Sequence, residues 1–166
     1  ATFGDYFSLY RSSSSFLQVV FVEPSPRWNV AVGLCESGSS DSISFVNGVS
    51  TSRGGTHVKA IAKQLVKPIQ DAVEKLDPTV KDFLNPSLVR RHLFIACDTL
   101  IENPTFDSQM KECLTSAPHT FGSSCELSND FIKQLSLSED KGGPGILEFL
   151  LDLARNKQRL SVKKQL

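Results

Sequence analysis

ISFVNGVSTSRGGTHVKAIAKQL, residues 43–65, predicts a strand, a loop and the beginning of a helix. The first residues alternate between apolar and polar side chains, which is the period of a half-buried strand. Glycines and hydroxyl side chains fill residues 47–57, as is typical of a loop. Apolar residues then recur every three or four positions over residues 58–76, which is the period of an amphipathic helix.

Three more segments predict strands. Residues 16–24 are apolar and β-branched and end at a proline, and WNVAVGL, residues 28–34, alternates with period two. Residues 16–46 together predict antiparallel hairpin pairing, with the polar loop ESGSSD joining residues 28–34 to SISFV, residues 42–46. Residues 93–97 are apolar at every position, as in a strand that is covered on both faces.

Further helices are expected between and after these strands. Pro68 lies inside the long amphipathic stretch, so we expect a kink there or a helix that restarts. Two prolines divide residues 77–91 into short helical pieces, and a serine cap begins a helix at residues 128–135. A flexible break at residues 138–145 precedes a final helix at 146–166. This order predicts an α+β or α/β fold, with a mixed sheet covered by helices on one face.

Length and composition fit one domain of 166 residues with a core of its own. Because 18 basic residues balance 18 acidic ones, any contact with nucleic acid would have to be local. The four cysteines and three histidines lack zinc-site spacing, so we expect reduced intracellular thiols and no metal site. No signal peptide or membrane-spanning stretch is predicted.

Two basic features are candidates for anion contacts. Gln109 and Lys111 lie two apart and would point the same way in an extended segment, where both could donate to phosphate; the alternative is a solvated loop. The second feature is a run of five cations near the C-terminus, which could meet a phosphate backbone or could be the ordinary basic end of a helix. Its members are Arg155, Lys157, Arg159, Lys163 and Lys164.

The stretch RGGTH, residues 53–57, opens the long helix. It could hold an anion at a helix N-terminus, but it lacks the lysine and hydroxyl of a phosphate loop, and a tight turn is the simpler interpretation. The chain has no nucleophile elbow, zinc-protease motif or paired metal-binding aspartates. Its own residues therefore predict no complete active site.

Two long segments resemble type II DNA topoisomerases of the eukaryotic kind. They are residues 43–65 and LIENPTFDSQMKECLTSAPHTFGSSCELSNDFI, residues 100–132, and RWNVAVGL falls where the family's hairpin begins. The resemblance covers most of residues 27–136 and implies the transducer domain, which lies between a GHKL-type ATP-binding domain and the DNA-cleaving core. It implies an α+β fold with a four-stranded mixed sheet, helices on one face, a left-handed β-α-β crossover like that of a small-subunit ribosomal protein domain, and a long C-terminal helix.

The resemblance also implies a domain division. Residues 1–26 would be a flank from the ATP-binding domain boundary, with a strand, and residues 27–140 would be the transducer core. Residues 141–166 would be a linker and a basic helix that leads toward the DNA gate.

The family carries a Gln-Thr-Lys loop that touches the γ-phosphate of ATP in the neighbouring domain. Gln109 and Lys111 match this loop, and Met110 replaces the threonine, which puts the loop geometry in question. The implied cofactor is ATP with Mg²⁺ in the full-length parent, with none bound by this fragment alone. Gly54, Gly55 and His57 match a family fingerprint, which we interpret as loop geometry at a helix start.

The implied function is to sense the γ-phosphate and to relay nucleotide state to the DNA gate during strand passage. The five C-terminal cations would border the cavity through which duplex DNA passes. Implied partners are the rest of the same polypeptide, duplex DNA and a second copy in a homodimer, with no membrane. We expect location in the nucleus or mitochondrion, and no ATPase or DNA cleavage by this chain alone.

Three other interpretations stay open at this point. The chain could be the equivalent middle domain of a bacterial gyrase B subunit, a mismatch-repair MutL protein or a related chaperone. It could be a freestanding nucleic-acid-binding module that uses the basic C-terminal run. It could also be a plain scaffold domain, in which Lys111 would be dispensable.

Overall fold

The protein is described by a computed structural model covering residues 19–25, 27–35, 37–39, 42–127 and 146–165. Its strands are β1 (Val19–Ser25), β2 (Trp28–Leu34), β3 (Ser42–Val46), β4 (Val49–Ser50) and β5 (Leu93–Thr99). Its α-helices are α1 (Thr56–Leu76), α2 (Pro86–Arg91) and α3 (Ile146–Gln165), and shorter 3₁₀ helices span Pro78–Phe83 and Pro118–Thr120. The predicted helix at 128–135 and the break at 138–145 lie outside the described residues.

The strands form one mixed sheet in the order β1-β2-β5-β3-β4. β5 runs antiparallel to β2 and parallel to β3, while β1 pairs antiparallel with β2. The predicted four-stranded mixed sheet is confirmed, and the two-residue β4 extends its edge. Helices of residues 56–91 connect the parallel neighbours β3 and β5, as parallel pairing requires. The hand of this crossover stays a prediction.

The predicted hairpin between residues 28–34 and 42–46 is wrong, because β5 lies between these two strands. Six of the seven residues of β5 are buried, so this strand is most stable where both its faces and both its edges are covered. A central position in the sheet provides that cover. The connection between β2 and β3, residues 35–41, is long enough to span the width of β5.

β4 arises from a tight turn that the sequence prediction left as loop. Asn47 and Gly48 have φ of 50° and 79°, and positive φ at both central residues is the mark of the Asn-Gly hairpin turn. The Asn47 side chain also accepts from the Ile101 amide at 2.8 Å and donates to the Ile101 carbonyl at 2.9 Å. The turn is thereby fixed to the chain that leaves β5.

Helix α1 is continuous through Pro68. Of the two predicted outcomes, the restart at this proline is therefore wrong, and the kink stays a prediction. A proline inside a helix costs about 3 kcal/mol. Leu65 and Ile69, on either side of it, are both buried in the core, and this tertiary packing favours one continuous helix.

The main core lies between the sheet and the helices. Alternate residues of β2, from Trp28 to Leu34, face α1, and Phe94 and Ala96 of β5 are buried on the opposite face of the sheet. The first half of α3 packs into the main core through an apolar stripe, which confirms the predicted final helix with an apolar face; its residues are Ile146, Leu147, Leu150, Leu151 and Ala154. None of the described helices is long and apolar enough to cross a membrane.

The four cysteines are free thiols, and three of them are buried. The burial of three of the four confirms the prediction that the thiols lie mostly in the core. Burial raises the pKa of the Cys125 thiol to about 11, so this side chain is uncharged at neutral pH. Within the described ranges, no three His, Cys, Asp or Glu side chains converge as a metal site would require.

Candidate functional site

Gln109 and Lys111 lie at the tip of an irregular hairpin. Thr115 donates its amide to the Thr105 carbonyl at 2.8 Å, and Asp107 donates to Cys113 at 3.2 Å. The tip closes where the Lys111 amide donates to the Ser108 carbonyl at 3.2 Å, and Lys111 has φ of 56°. The predicted loop is therefore a turn here, and Gln109 and Lys111 do not lie on an extended segment. A backbone bond between residues three apart reverses the chain in a turn.

All four side chains of this turn, residues 108–111, are exposed to solvent. Gln109 and Lys111 are exposed, and Met110 is 75% exposed, the highest value among the exposed large hydrophobic side chains. The Lys111 ammonium lies 5.9 Å from the centre of the Phe106 ring, within reach of a weak cation–π contact. None of the ion pairs formed among the described residues uses Lys111. Its charge is therefore available to an anion.

The loop that precedes α1 is hydrogen-bonded to the hairpin that carries this turn. Arg53 donates its amide to the Glu112 carbonyl at 2.8 Å, Leu114 donates to Gly54 at 3.1 Å, and Thr56 donates to Leu114 at 3.1 Å. The Arg53 guanidinium also pairs with Asp107 at 3.2 Å. The exposed turn is therefore bonded directly to the segment that begins helix α1.

The same bonds bear on the two interpretations of RGGTH. An anion site at a helix N-terminus needs free backbone amides. The amides of Arg53 and Thr56 already donate to the hairpin, and that of Gly54 donates to Thr51. Three amides of the stretch are therefore used within the protein, and the positive φ of Gly54 and Gly55 fits a tight turn.

His57 is buried at the start of α1. Its Nε2 lies 3.2 Å from the Thr51 hydroxyl, and its Nδ1 has no hydrogen-bond partner. Burial lowers the pKa of His57 from 6.5 to about 4, so the ring is neutral at physiological pH. A neutral ring enclosed in protein supports the loop and cannot reach a ligand. The interpretation of His57 as part of the loop geometry is consistent with this environment.

The C-terminal cations form a separate feature on α3. Arg155 pairs with Asp77 at 3.0 Å, and Gln158 donates to the Thr79 carbonyl at 3.2 Å. The Thr79 hydroxyl and then Arg155 bond to the Asp77 carboxylate and lower its pKa. Arg155 is thus engaged in holding α3 against the end of α1. The remaining four cations are exposed: Lys157, Arg159, Lys163 and Lys164.

The two candidate features are not brought together. The turn is bonded to the N-terminal end of α1, whereas Arg155 is bonded to Asp77 just past its C-terminal end. A helix of 21 residues is about 30 Å long. Sequence analysis also missed Arg53, Asp107 and Leu114 as partners of the turn. No local pattern could reveal them, because Arg53 and Asp107 are 54 residues apart.

The fold matches the ATPase regions of type II DNA topoisomerases. The structure of the ATPase and transducer domains of DNA topoisomerase II from Balamuthia mandrillaris has a TM-score of 0.83 at 38% identity, over 96% of this chain and 38% of that chain. The ATPase region of topoisomerase II from Saccharomyces cerevisiae has a TM-score of 0.71 at 31% identity, over 92% of this chain and 36% of that chain.

A profile of the DNA gyrase B family matches residues 4–166, and the chain belongs to this family. DNA topoisomerase 2 of Arabidopsis thaliana is 38% identical over 171 residues, an alignment that covers 98% of this chain and 11% of that protein. The chain therefore spans about a tenth of the length of this relative.

Proposed function

We propose that this chain is the transducer part of an ATP-dependent type II DNA topoisomerase, with residues 27–140 as its core. In this proposal, Gln109 and Lys111 contact the γ-phosphate of an ATP molecule held by the ATP-binding domain of the same polypeptide. The observation that carries the proposal is the exposed turn at residues 108–111, which presents an unpaired lysine from a rigidly bonded support.

The chemistry of the two side chains fits phosphate. Lysine has three donors and no acceptor, and the amide nitrogen of glutamine donates as well. Lys111 would neutralise charge that develops on the γ-phosphate during hydrolysis. Neither side chain carries a carboxylate, which is the usual protein ligand of Mg²⁺. The ion that accompanies ATP would therefore be held by residues outside this turn.

Methionine at position 110 is compatible with this role. The bond that closes the turn joins the Lys111 amide to the Ser108 carbonyl and does not involve the side chain between them. Replacing threonine by methionine therefore leaves the closing bond intact. The two flanking side chains, Gln109 and Lys111, remain exposed on this turn.

The relay would be mechanical. Loss of the γ-phosphate contact after hydrolysis would release the turn and let this domain rotate against the ATP-binding domain. Residues 141–166 would pass that motion toward the DNA gate. The parent is proposed to work as a homodimer on duplex DNA, in the nucleus or the mitochondrion, and this chain alone is proposed to be inactive.

The test is the Lys111→Ala change in the full-length protein. Removing a charged donor from the reacting phosphate should lower ATP turnover by about 10²-fold. Lys67→Ala is the matched control, because Lys67 is an exposed lysine on α1 about three helical turns past Thr56, where the helix is bonded to the hairpin. Turnover that is unchanged by Lys111→Ala, in a folded protein, would favour the scaffold interpretation.

A second role is proposed for the exposed end of α3, whose basic run contains no acidic residue after Asp152. Lys157, Arg159, Lys163 and Lys164 would face the DNA cavity of the parent. Changing these four to glutamine should lower the stimulation of ATPase by DNA more than the basal ATPase, and most clearly at low salt. An equal loss of both activities would contradict this role.

A further inference from the structure

The turn that carries Lys111 and the loop before α1 form a short parallel ladder. Its rungs are the backbone bonds that join Arg53 to Glu112, Gly54 to Leu114 and Leu114 to Thr56. Gly55 and Leu114 face each other as a parallel bridge. Two segments that share three backbone bonds are expected to move as one unit.

Gly55 permits the closest approach in this ladder. A Cβ atom built at Gly55 would lie 2.5 Å from both the amide nitrogen and the carbonyl oxygen of Leu114. No real side chain fits there without pushing the hairpin away. At Gly54 the nearest atom to such a Cβ is the Ser42 hydroxyl at 3.5 Å, which is ordinary contact. Of these two positions, only position 55 therefore needs glycine for the close approach to Leu114.

The ladder is anchored on both sides. The Leu114 side chain is buried in the same apolar cluster as Ile61 and Leu65 of α1. On the other arm of the hairpin, the Arg53 guanidinium pairs with Asp107. Lys111 stands only three residues from Leu114. Its position is consequently set by α1 and by the loop that precedes it.

We propose that Gly55 and the Arg53–Asp107 ion pair are positioning residues for Lys111. They hold the turn at a fixed place on the N-terminal end of α1, so that the lysine and this helix respond to the γ-phosphate as one rigid body. This inference rests on the proposed contact between Lys111 and the γ-phosphate. It adds the residues that position the Lys111 side chain, and it identifies α1 as the helix that moves together with the turn.

The first experiment compares Gly55→Ala with Gly54→Ala in the full-length protein. Both glycines have positive φ, 142° and 74°, so both changes strain the backbone, but only Gly55→Ala collides with Leu114. We expect Gly55→Ala to lower kcat for ATP about tenfold or more, since a small misplacement of a catalytic group is costly. Gly54→Ala should lower kcat clearly less than Gly55→Ala, because it strains the backbone without a clash against Leu114. Equal activity of the two variants would overturn the proposal.

Combining the change with Lys111→Ala separates positioning from general damage. If Gly55 acts through Lys111, then Gly55→Ala has nothing left to misplace, and the double variant matches Lys111→Ala alone. A further fall of kcat in the double variant would show a structural defect and would overturn the proposal.

The ion pair offers a test that does not threaten folding. Arg53→Asp and Asp107→Arg should each lower kcat severalfold with the melting temperature nearly unchanged, because the Arg53 side chain is 66% exposed. The double exchange restores an opposite-charge pair and should recover kcat. Single variants that are fully active, or a double exchange that recovers nothing, would count against the ion pair.

Hydrogen exchange reports on the ladder without any ATP. In Gly55→Ala, amides of residues 105–115 should exchange faster than in Gly54→Ala. If Lys111→Ala leaves turnover unchanged, the γ-phosphate proposal fails, and this measurement alone still decides whether Gly55 positions the turn. Equal exchange in both glycine variants would then refute the positioning as well.

Discussion

The buried ring of His57 should make the fold sensitive to mild acid. Burial lowers the pKa of His57 from 6.5 to about 4, because the charged ring would lose its water without gaining a carboxylate. Between these two values the unfolded chain binds more protons at this ring than the folded chain does. The free energy of unfolding therefore falls as the pH falls through this window.

The size of the loss follows from the two pKa values. At pH 7 both states carry a neutral ring, and the contribution is close to zero. At pH 5 most unfolded molecules carry a charged ring and few folded ones do, which gives a loss of about 2 kcal/mol relative to pH 7. Full protonation below pH 4 would bring the loss to about 3 kcal/mol.

Urea denaturation of the chain at pH 7 and pH 5 measures this loss, and His57→Gln is the control. Glutamine does not titrate, and it can still bond to the Thr51 hydroxyl. Other titrating groups, such as Asp98, whose pKa burial raises, are present in both proteins and cancel in the comparison. If wild type and His57→Gln lose the same stability between the two pH values, then the ring is not held neutral by burial.

Two further changes test the packing. Leu150→Ala removes a fully buried side chain from α3 and should lower the free energy of unfolding, measured by urea denaturation, by about 2–5 kcal/mol. Leu160→Ala, at a site 59% exposed on the same helix, should lower it by less than about 0.5 kcal/mol. Similar losses in the two variants would mean that α3 does not pack as described. Asn47→Ala removes both bonds to Ile101 and should cost about 2–3 kcal/mol, and a cost no larger than that of Gly48→Ala would contradict this role.

The elements with strong local periodicity were predictable. The alternating residues 28–34 form β2, and residues 93–97, which are apolar at every position, lie in β5. The long amphipathic stretch forms α1. The apolar stripe that begins at Ile146 became the buried face of α3. In each case the spacing of the apolar residues reflects whether one face or both faces of the element are buried. That spacing can be read from a single segment of sequence.

The site was predicted only in part. The resemblance to type II topoisomerases singled out Gln109 and Lys111, and both are exposed on one turn. The loop was predicted, but not that its backbone closes in a turn from the Lys111 amide to the Ser108 carbonyl. The Asn-Gly pair at residues 47–48 is a local hairpin signal, but the glycines and hydroxyl side chains around it predict loop.

The sequence by itself therefore determined the types of the main elements, the apolar faces that they bury and the identity of the two side chains proposed to meet phosphate. The tertiary structure decided that β5 separates β2 from β3 and that the Lys111 turn is bonded to the start of α1. Strand order depends on which segment gains most from central burial, and the turn depends on partners 54 residues away in the chain. A local sequence pattern specifies neither the strand order nor the partners of the turn, because both depend on contacts between segments that are distant in the chain.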